Sequence, residues 1–400
     1  MKIYHTSKLP GRTVETSDGR EFLWFSGTDY LGMGHNEDLR RYMLLATETF
    51  GNHYGGSRNN SLRLDIYNET EQQLSDFLQT RAALIVSSGM WAGQLLMKEI
   101  EDIARRNSRP KEIVYHYAPG VHPALWGNAF QRTNAEWREW AVQTVGEINA
   151  SDSGVSHIIC TDAVGSPMVE TYDFTLFDTL QNPSDVWLII DESHSLGVLG
   201  MGGRGVASGI GEKLLPQTIF VSSLNKALGI PAGAIWGADS VVETVRKSPW
   251  YAGASPPAPA YAFALGMLLK ENKYVAAHTL LTENIAYFNR HTSGDMHFRT
   301  IPGYPVFCSS SAALFDHLLE NGIMASCFPY PSPADAPVTR IAITGLHQKR
   351  RPRPAGRGLY AVYRLIAYQS SVVVPPSLAS RFSSRSFSRS TFADTMILTS

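Results

Sequence analysis

From about Arg81 onward, short apolar runs of strand length alternate with longer amphipathic stretches. This alternation is typical of repeated strand and helix units. It constrains the chain to an α/β fold, and we predict a mainly parallel central sheet. The predicted strands are rich in Val, Ile or aromatic residues and span 82–87, 113–116, 157–161, 186–191, 218–222 and 233–236.

The periodicity also predicts how the chain is divided into domains. Helices are expected over 38–50 and 64–78, and a long helix over 259–281 should link the central sheet to a smaller α+β domain with strands at 301–307 and 339–343. The predicted parts are an N-terminal segment (1–50), a large domain (51–260), a small C-terminal domain (261–348) and an atypical tail (349–400).

The charge balance narrows the possible partners. The 400 residues carry 35 basic and 36 acidic side chains, a net charge of −1, which argues against a nucleic-acid binder. The last 65 residues carry ten basic side chains and one acidic side chain, Asp394. This Ser/Arg-rich end lacks apolar periodicity and is expected to be poorly ordered, either as a native extension or as the product of a shifted reading frame.

Cysteine usage and hydropathy predict a cytoplasmic protein without a membrane span. The three cysteines, Cys160, Cys308 and Cys327, form no CxxC pair and no metal-like spacing, so we expect a reducing compartment and no metal site. No apolar run approaches the ~20 residues of a membrane helix, and the start of the chain lacks the apolar core of a secretory signal.

Polar residues follow the predicted strands, where ligands gather in open α/β sheets. Asp191 ends a very apolar strand, and His194 follows it by three residues. Lys226 comes shortly after another buried-type strand, where an ammonium is costly unless it is neutralised or chemically engaged. Each residue alone has an ordinary explanation, a turn-capping Asp or a surface Lys, but the combination is far more specific.

Several motifs in this region share an order with a known family. They are TDYLG at 28–32, GGSR at 55–58, SGM at 88–90, DESHSLG at 191–197, GGRG at 202–205 and NKALG at 225–229. In these motifs the chain resembles the α-oxoamine synthases, which are pyridoxal-phosphate (PLP) enzymes of transferase fold type I. The resemblance covers about 25–347.

The resemblance implies a role for each residue around the PLP ring. Lys226 would hold the cofactor covalently as a Schiff base and act as general base. Asp191 would keep the pyridine nitrogen protonated, so that the ring can act as an electron sink. His194 would bond the phenolic oxygen of the ring, and His122 would stack on its face, although His122 could also be an ordinary half-buried histidine.

The resemblance also implies phosphate and substrate contacts. Ser88, Gly89, Met90 and Ser223 would bind the phosphate, and Ser166 would lie near the cofactor together with Asp162, although Ser166 could equally be a turn residue. Arg340 matches the family arginine for the substrate carboxylate. Thr28 stands where the family usually has an Asn that contacts this carboxylate, which leaves the substrate open.

The function implied by the resemblance is an acyltransferase that condenses a small amino acid with an acyl-CoA, usually with decarboxylation, in a homodimer with the active site at the subunit interface. Two alternatives are left open. One is another reaction of the same fold type, such as transamination, aldol cleavage or decarboxylation. The other is a non-catalytic binding protein that keeps the fold. The sequence does not identify the acyl chain.

Overall fold

The computed structural model describes residues 3–108, 112–292, 298–329 and 334–347. The predicted tail at 349–400 lies outside these residues. In chain order the strands are β1 (Thr13–Glu15), β2 (Glu21–Phe25), β3 (Ala82–Val86), β4 (Glu112–Tyr117), β5 (Val155–Asp162), β6 (Val186–Asp191), β7 (Thr218–Ser223), β8 (Gly233–Gly237), β9 (Val306–Ser309), β10 (Ile323–Pro329) and β11 (Pro337–Ala342). The α-helices are α1 (Glu37–Phe50), α2 (Asp65–Leu78), α3 (Gly89–Ser108), α4 (Trp137–Asn149), α5 (Asp239–Lys247), α6 (Pro249–Gly253), α7 (Pro259–Lys270), α8 (Lys273–Thr292) and α9 (Ala312–Glu320).

The larger sheet has the strand order β3-β8-β7-β6-β5-β4. Strands β4 to β7 are parallel, and β8 runs antiparallel to both β7 and β3. Every residue of β6 is buried, as expected for a parallel strand covered on both faces. The predicted α/β class with a mainly parallel sheet is therefore confirmed.

The strand register brings the polar strand ends together. Asp162 and Asp191 are directly paired at the carboxyl ends of β5 and β6. Ser223 ends the neighbouring strand β7, and Lys226 follows in the next turn. The parallel pairing therefore gathers at one edge of the sheet the residues that the sequence spreads over more than sixty positions.

The smaller sheet has the order β1-β2-β10-β11-β9 and contains strands from both ends of the described chain. Strand β2 pairs in parallel with β10, with Leu23 opposite Ile323. We predicted residues 1–50 as a segment of their own, whereas β1 and β2 form an edge of the C-terminal sheet. The exact domain boundaries stay a prediction.

The predicted long helix over 259–281 is wrong, because the chain breaks it into two helices. Helix α7 ends at Lys270, and Asn272 has a φ of 55° in the left-handed region, where Asn is tolerated better than most residues. The Asn272 N–H bonds the carbonyl of Leu269, and α8 begins at Lys273. None of the helices within the described ranges is long and apolar enough to cross a membrane.

The strand predicted at 301–307 is shorter in the structure. The segment turns at Gly303, whose φ of 71° is left-handed, and the Tyr304 N–H closes the turn on the carbonyl of Ile301. Strand β9 therefore begins only at Val306. The turn brings the Tyr304 side chain into the interior, where it is 1% exposed.

A buried ion-pair network fixes the GGSR loop against the larger sheet. Glu71 of α2 accepts hydrogen bonds from the guanidinium groups of Arg58 and Arg246 and, at 3.0 Å, from the backbone N–H of Ile85 in β3. The Arg58 and Glu71 side chains are only 6% and 4% exposed. Glu71 thus ties the loop, helix α5 and strand β3 together.

Candidate active site

Lys226, Asp191 and Asp162 form the charged centre of the site. Burial lowers the pKa of Lys226 below its usual range, and the two carboxylates oppose this effect. Burial and the nearby Asp191 raise the pKa of Asp162 well above its usual range. Desolvation favours the neutral amine of a lysine, which is its nucleophilic form, whereas neighbouring carboxylates favour the ammonium.

Asp191 is held in a fixed orientation with one oxygen free for a partner. Its Oδ1 accepts the backbone N–H of Ser193 at 2.8 Å, and its Oδ2 lies 3.9 Å from His122 Nδ1. The carboxylate is 6% exposed, and a buried carboxylate needs a cationic or hydrogen-bonding partner. Within the described residues, no group of three or more His, Cys, Asp or Glu side chains could hold a metal ion.

His122 lies beside Asp162 and Asp191, on the loop after β4. Its backbone N–H donates to the Asp162 carboxylate at 3.1 Å and 3.3 Å, and its Nδ1 accepts the N–H of Ala124 at 3.2 Å. Nδ1 is therefore the unprotonated nitrogen of the ring. Burial lowers the pKa of His122, so the ring is neutral near pH 7. The side chain is 41% exposed, which leaves a ring face open to a ligand.

A cradle of small residues lies where β3 meets α3. The Ser88 hydroxyl accepts the N–H of Trp91 at 3.1 Å and caps α3. A Cβ atom added to Gly89 would lie 2.6 Å from Ser223 Cα, and one added to Gly233 would lie 2.7 Å from the Gly89 nitrogen. Only glycines permit this approach of β7 and β8 to the helix start, where the first backbone N–H groups have no acceptor within the helix and can bind an anion.

The other phosphate-site candidates lie around the same turn. Ser223 is joined to the site by its backbone N–H, which donates to the Ser193 hydroxyl at 2.7 Å. Met90 is 48% exposed at the start of α3, and the next residue, Trp91, lines a cavity of about 670 Å³ together with Ser87 and Trp250. The structure therefore brings the predicted phosphate residues 88–90 and 223 together.

His194 and Arg340 are joined by two buried tyrosines. The Tyr30 hydroxyl lies 3.1 Å from His194 Nδ1 and 3.5 Å from the Tyr304 hydroxyl. Burial raises the pKa of both tyrosines, and the positive charge of Arg340 opposes the rise. Burial, together with Lys226 and Arg340, lowers the pKa of His194 well below its usual range, so its ring is neutral.

The remaining predicted residues lie at the periphery of this group. Ser166 precedes Pro167 in a cis peptide, and the Pro167 carbonyl accepts a hydrogen bond from the thiol of Cys308, which pairs with Arg340 across β9 and β11. Thr28 lines a cavity of about 390 Å³ together with Asn225 and Thr344. The structure gives no contact between Thr28 and Arg340, so the substrate role of Thr28 stays a prediction.

These residues fit a phosphorylated pyridine aldehyde. The glycine cradle offers backbone donors to a dianionic group, as the starts of helices do for phosphates. Asp191 offers a buried anion to a protonated ring nitrogen, and Lys226 offers a desolvated amine to an aldehyde. The three features lie along one edge of the sheet and correspond to the two ends and the reactive carbon of PLP.

The comparisons with known proteins agree with this geometry. The sequence matches the family Aminotransferase class I and II over residues 20–344. The chain belongs to this family. The match confirms the predicted fold class and the expectation of a PLP enzyme.

Within the family, the chain is similar to α-oxoamine synthases, as the motifs predicted. It is 24% identical over 343 residues to 8-amino-7-oxononanoate synthase from Nitrosococcus oceani, covering 83% of this chain and 89% of that protein. A second 8-amino-7-oxononanoate synthase, from Symbiobacterium thermophilum, is 25% identical and covers 85% and 88%. Serine palmitoyltransferase from Sphingomonas wittichii has the same fold, with a TM-score of 0.73, 18% identity and coverage of 92% and 93%.

Several residues that the structure places in the site were not predicted from sequence patterns. Tyr30 lies in the TDYLG motif, where alternation alone suggests only a core residue. Tyr304 and Cys308 lie beside Arg340 because of the turn before β9, and the sequence around them carries no local signal. Their positions depend on pairing between distant strands, which a single sequence does not reveal.

Proposed function

We propose that this chain is a PLP-dependent acyltransferase that condenses a small amino acid with an acyl-CoA. The observation that carries the proposal is the desolvated Lys226 beside Asp191 and Asp162 in a chain similar to α-oxoamine synthases. When bound, PLP supplies an electron sink for negative charge on the α-carbon of the amino acid.

The residues of this chain divide the remaining work. Asp191 would hold the pyridine nitrogen protonated, and the burial of its carboxylate would strengthen this interaction. Lys226, with its lowered pKa, would hold the aldehyde carbon of PLP, and its amine, once free, would take the α-proton of the bound amino acid. The carbon nucleophile attacks the thioester carbonyl, and CoA leaves as a free thiol.

The substrate carboxylate binds at Arg340. This side chain is half-buried in β11, and its positive charge lowers the pKa of Lys226 and of His194, which supports a position near the reacting groups. A guanidinium can bind a carboxylate with two parallel hydrogen bonds and so fix the α-carbon. After condensation the same carboxylate is the group lost as CO2 in decarboxylating members of the family.

The test is release of CoA thiol from the PLP-loaded protein. Glycine, alanine and serine are each supplied with acyl-CoAs of increasing chain length, and the product is identified by mass spectrometry. Thiol release with at least one pair is expected, and Lys226→Ala should abolish it, whereas the exposed Lys247→Ala should not change it. Release of a keto acid without thiol would instead show transamination and overturn the condensation.

We also propose a cytoplasmic homodimer with the active site at the subunit interface. Trp250, 50% exposed, lines the cavity that also contains Ser87, and Met90 is 48% exposed at the start of α3, so both offer apolar surface to a second copy. Cys160, Cys308 and Cys327 are free thiols, as suits a reducing compartment. Sedimentation of the full chain should give a dimer, and Trp250→Glu should shift it toward monomer. A monomeric parent protein would contradict the proposal.

A further inference from the structure

A chain of residues connects His194 with Arg340 through two buried tyrosine hydroxyl groups. It runs from His194, in the loop after β6, through Tyr30, in the loop after β2, to Tyr304 before β9 and Arg340 in β11. Tyr30 and Tyr304 are 0% and 1% exposed. Their hydroxyl groups therefore bond within this chain of residues and not with bulk water.

The direction of the hydrogen bonds follows from what each group can donate. Arg340 has only donors, so the tyrosine oxygens near it act as acceptors. When the Tyr304 hydroxyl donates to the Tyr30 oxygen, the single Tyr30 proton is available for His194 Nδ1, 3.1 Å away, which carries a lone pair in one of the two neutral tautomers. In that tautomer the N–H of His194 lies on Nε2, the nitrogen remote from Tyr30.

We propose that Tyr30 is a positioning residue that fixes the tautomer of His194, with Tyr304 and Arg340 holding the Tyr30 hydroxyl in place. The inference rests on the proposed function, because it gives His194 the donor that a phenolate oxygen of the cofactor requires. Ring contacts support a fixed geometry: the Tyr30 ring centroid lies 6.4 Å from His194 and 6.1 Å from Tyr304.

The same chain of residues connects the small domain with the cofactor site. Arg340 and Tyr304 belong to the small domain, whereas His194 lies in the loop that follows β6 of the larger sheet. A carboxylate on Arg340 competes with the tyrosine oxygens for the guanidinium donors.

The experiment compares Tyr30→Phe with a matched control. Both Tyr30→Phe and Tyr67→Phe delete one buried hydroxyl, and that of Tyr67 donates to the Pro257 carbonyl at 2.7 Å, away from the site. We expect Tyr30→Phe to weaken PLP binding about threefold to tenfold, the loss from one net hydrogen bond. It should also lower the ratio of visible to near-ultraviolet absorbance of the bound cofactor. Tyr67→Phe should alter only the thermal unfolding temperature.

A double-mutant cycle shows whether Tyr30 acts through His194. In a His194→Asn background, Tyr30→Phe should have almost no further effect on PLP affinity. Equal effects in both backgrounds, or an unchanged absorbance ratio, would overturn the inference. If Tyr30→Phe does not fold, Tyr304→Phe should shift the ratio in the same direction by a smaller amount. Thiol release by the parent protein is measured separately, so failure of the proposed function is recognised independently.

Discussion

Removing Glu71 should destabilise the whole large domain. The change Glu71→Ala leaves Arg58, which is 6% exposed, without its carboxylate and removes the acceptor for Arg246 and for the Ile85 N–H. Breaking a buried ion pair by deleting one partner costs about 3–5 kcal/mol, because a charge remains buried without compensation. We expect a loss of this size in the free energy of unfolding.

Urea denaturation followed by tryptophan fluorescence measures this loss. The matched control is Glu243→Ala, which breaks an exposed pair with Lys247 within α5 and should cost less than about 1 kcal/mol. Glu71→Gln keeps the shape of the side chain and two of its acceptor positions, so its cost should fall between the two. A change below about 1 kcal/mol for Glu71→Ala would refute the assignment of Glu71 as the group that fixes the GGSR loop.

The other predictions concern the glycine cradle, the role of Asp191 at the ring nitrogen and the dependence of stability on pH. Gly89→Ala should weaken PLP binding more than tenfold, because the new Cβ would lie 2.6 Å from Ser223 Cα. The control Gly146→Ala, whose new Cβ has no atom within 4 Å, should bind PLP normally. Equal affinities of the two variants in a fluorescence titration would contradict the proposed phosphate cradle. Asp191→Asn should lower kcat about a hundredfold or more with the circular dichroism spectrum unchanged, and a smaller loss would argue against its role at the ring nitrogen. Burial lowers the pKa of His116 from 6.5 to about 4, so its contribution to stability is complete above pH 6.5 and is lost as the pH falls toward 4, by about 3 kcal/mol. The urea concentration at the unfolding midpoint should therefore decrease as the pH is lowered from 6.5 to 4. This dependence on pH should be weaker in His116→Asn, and an unchanged dependence would contradict the role of His116.

The alternation of apolar runs was enough to predict the larger sheet, since the strands predicted over 186–191 and 218–222 agree closely with β6 and β7. The site residues Lys226 and Asp191 could be predicted for the same reason. Both lie within short motifs at strand ends, so their neighbourhood is determined locally. Each depends on one strand and the turn that follows it, which is the range over which sequence patterns carry information.

Other features depend on contacts that the sequence does not encode locally. The break at Asn272 is decided by one residue adopting a left-handed conformation inside an otherwise helical pattern. Tyr304 reaches Tyr30 only because β9, β11 and β10 assemble with a strand from the start of the chain. Such pairings are determined by tertiary packing, and the periodicity of the sequence does not predict them.

The parallel pairing of β2 with β10 has a consequence for how the protein is made. Leu23 lies opposite Ile323, so the partner of β2 is synthesised 300 residues later. At typical rates of translation, about 5–20 residues per second, the N-terminal hairpin waits roughly 15–60 s on the ribosome with its outer edge uncovered. During this interval the unpaired edge of β2 exposes backbone N–H and C=O groups with which another strand can pair.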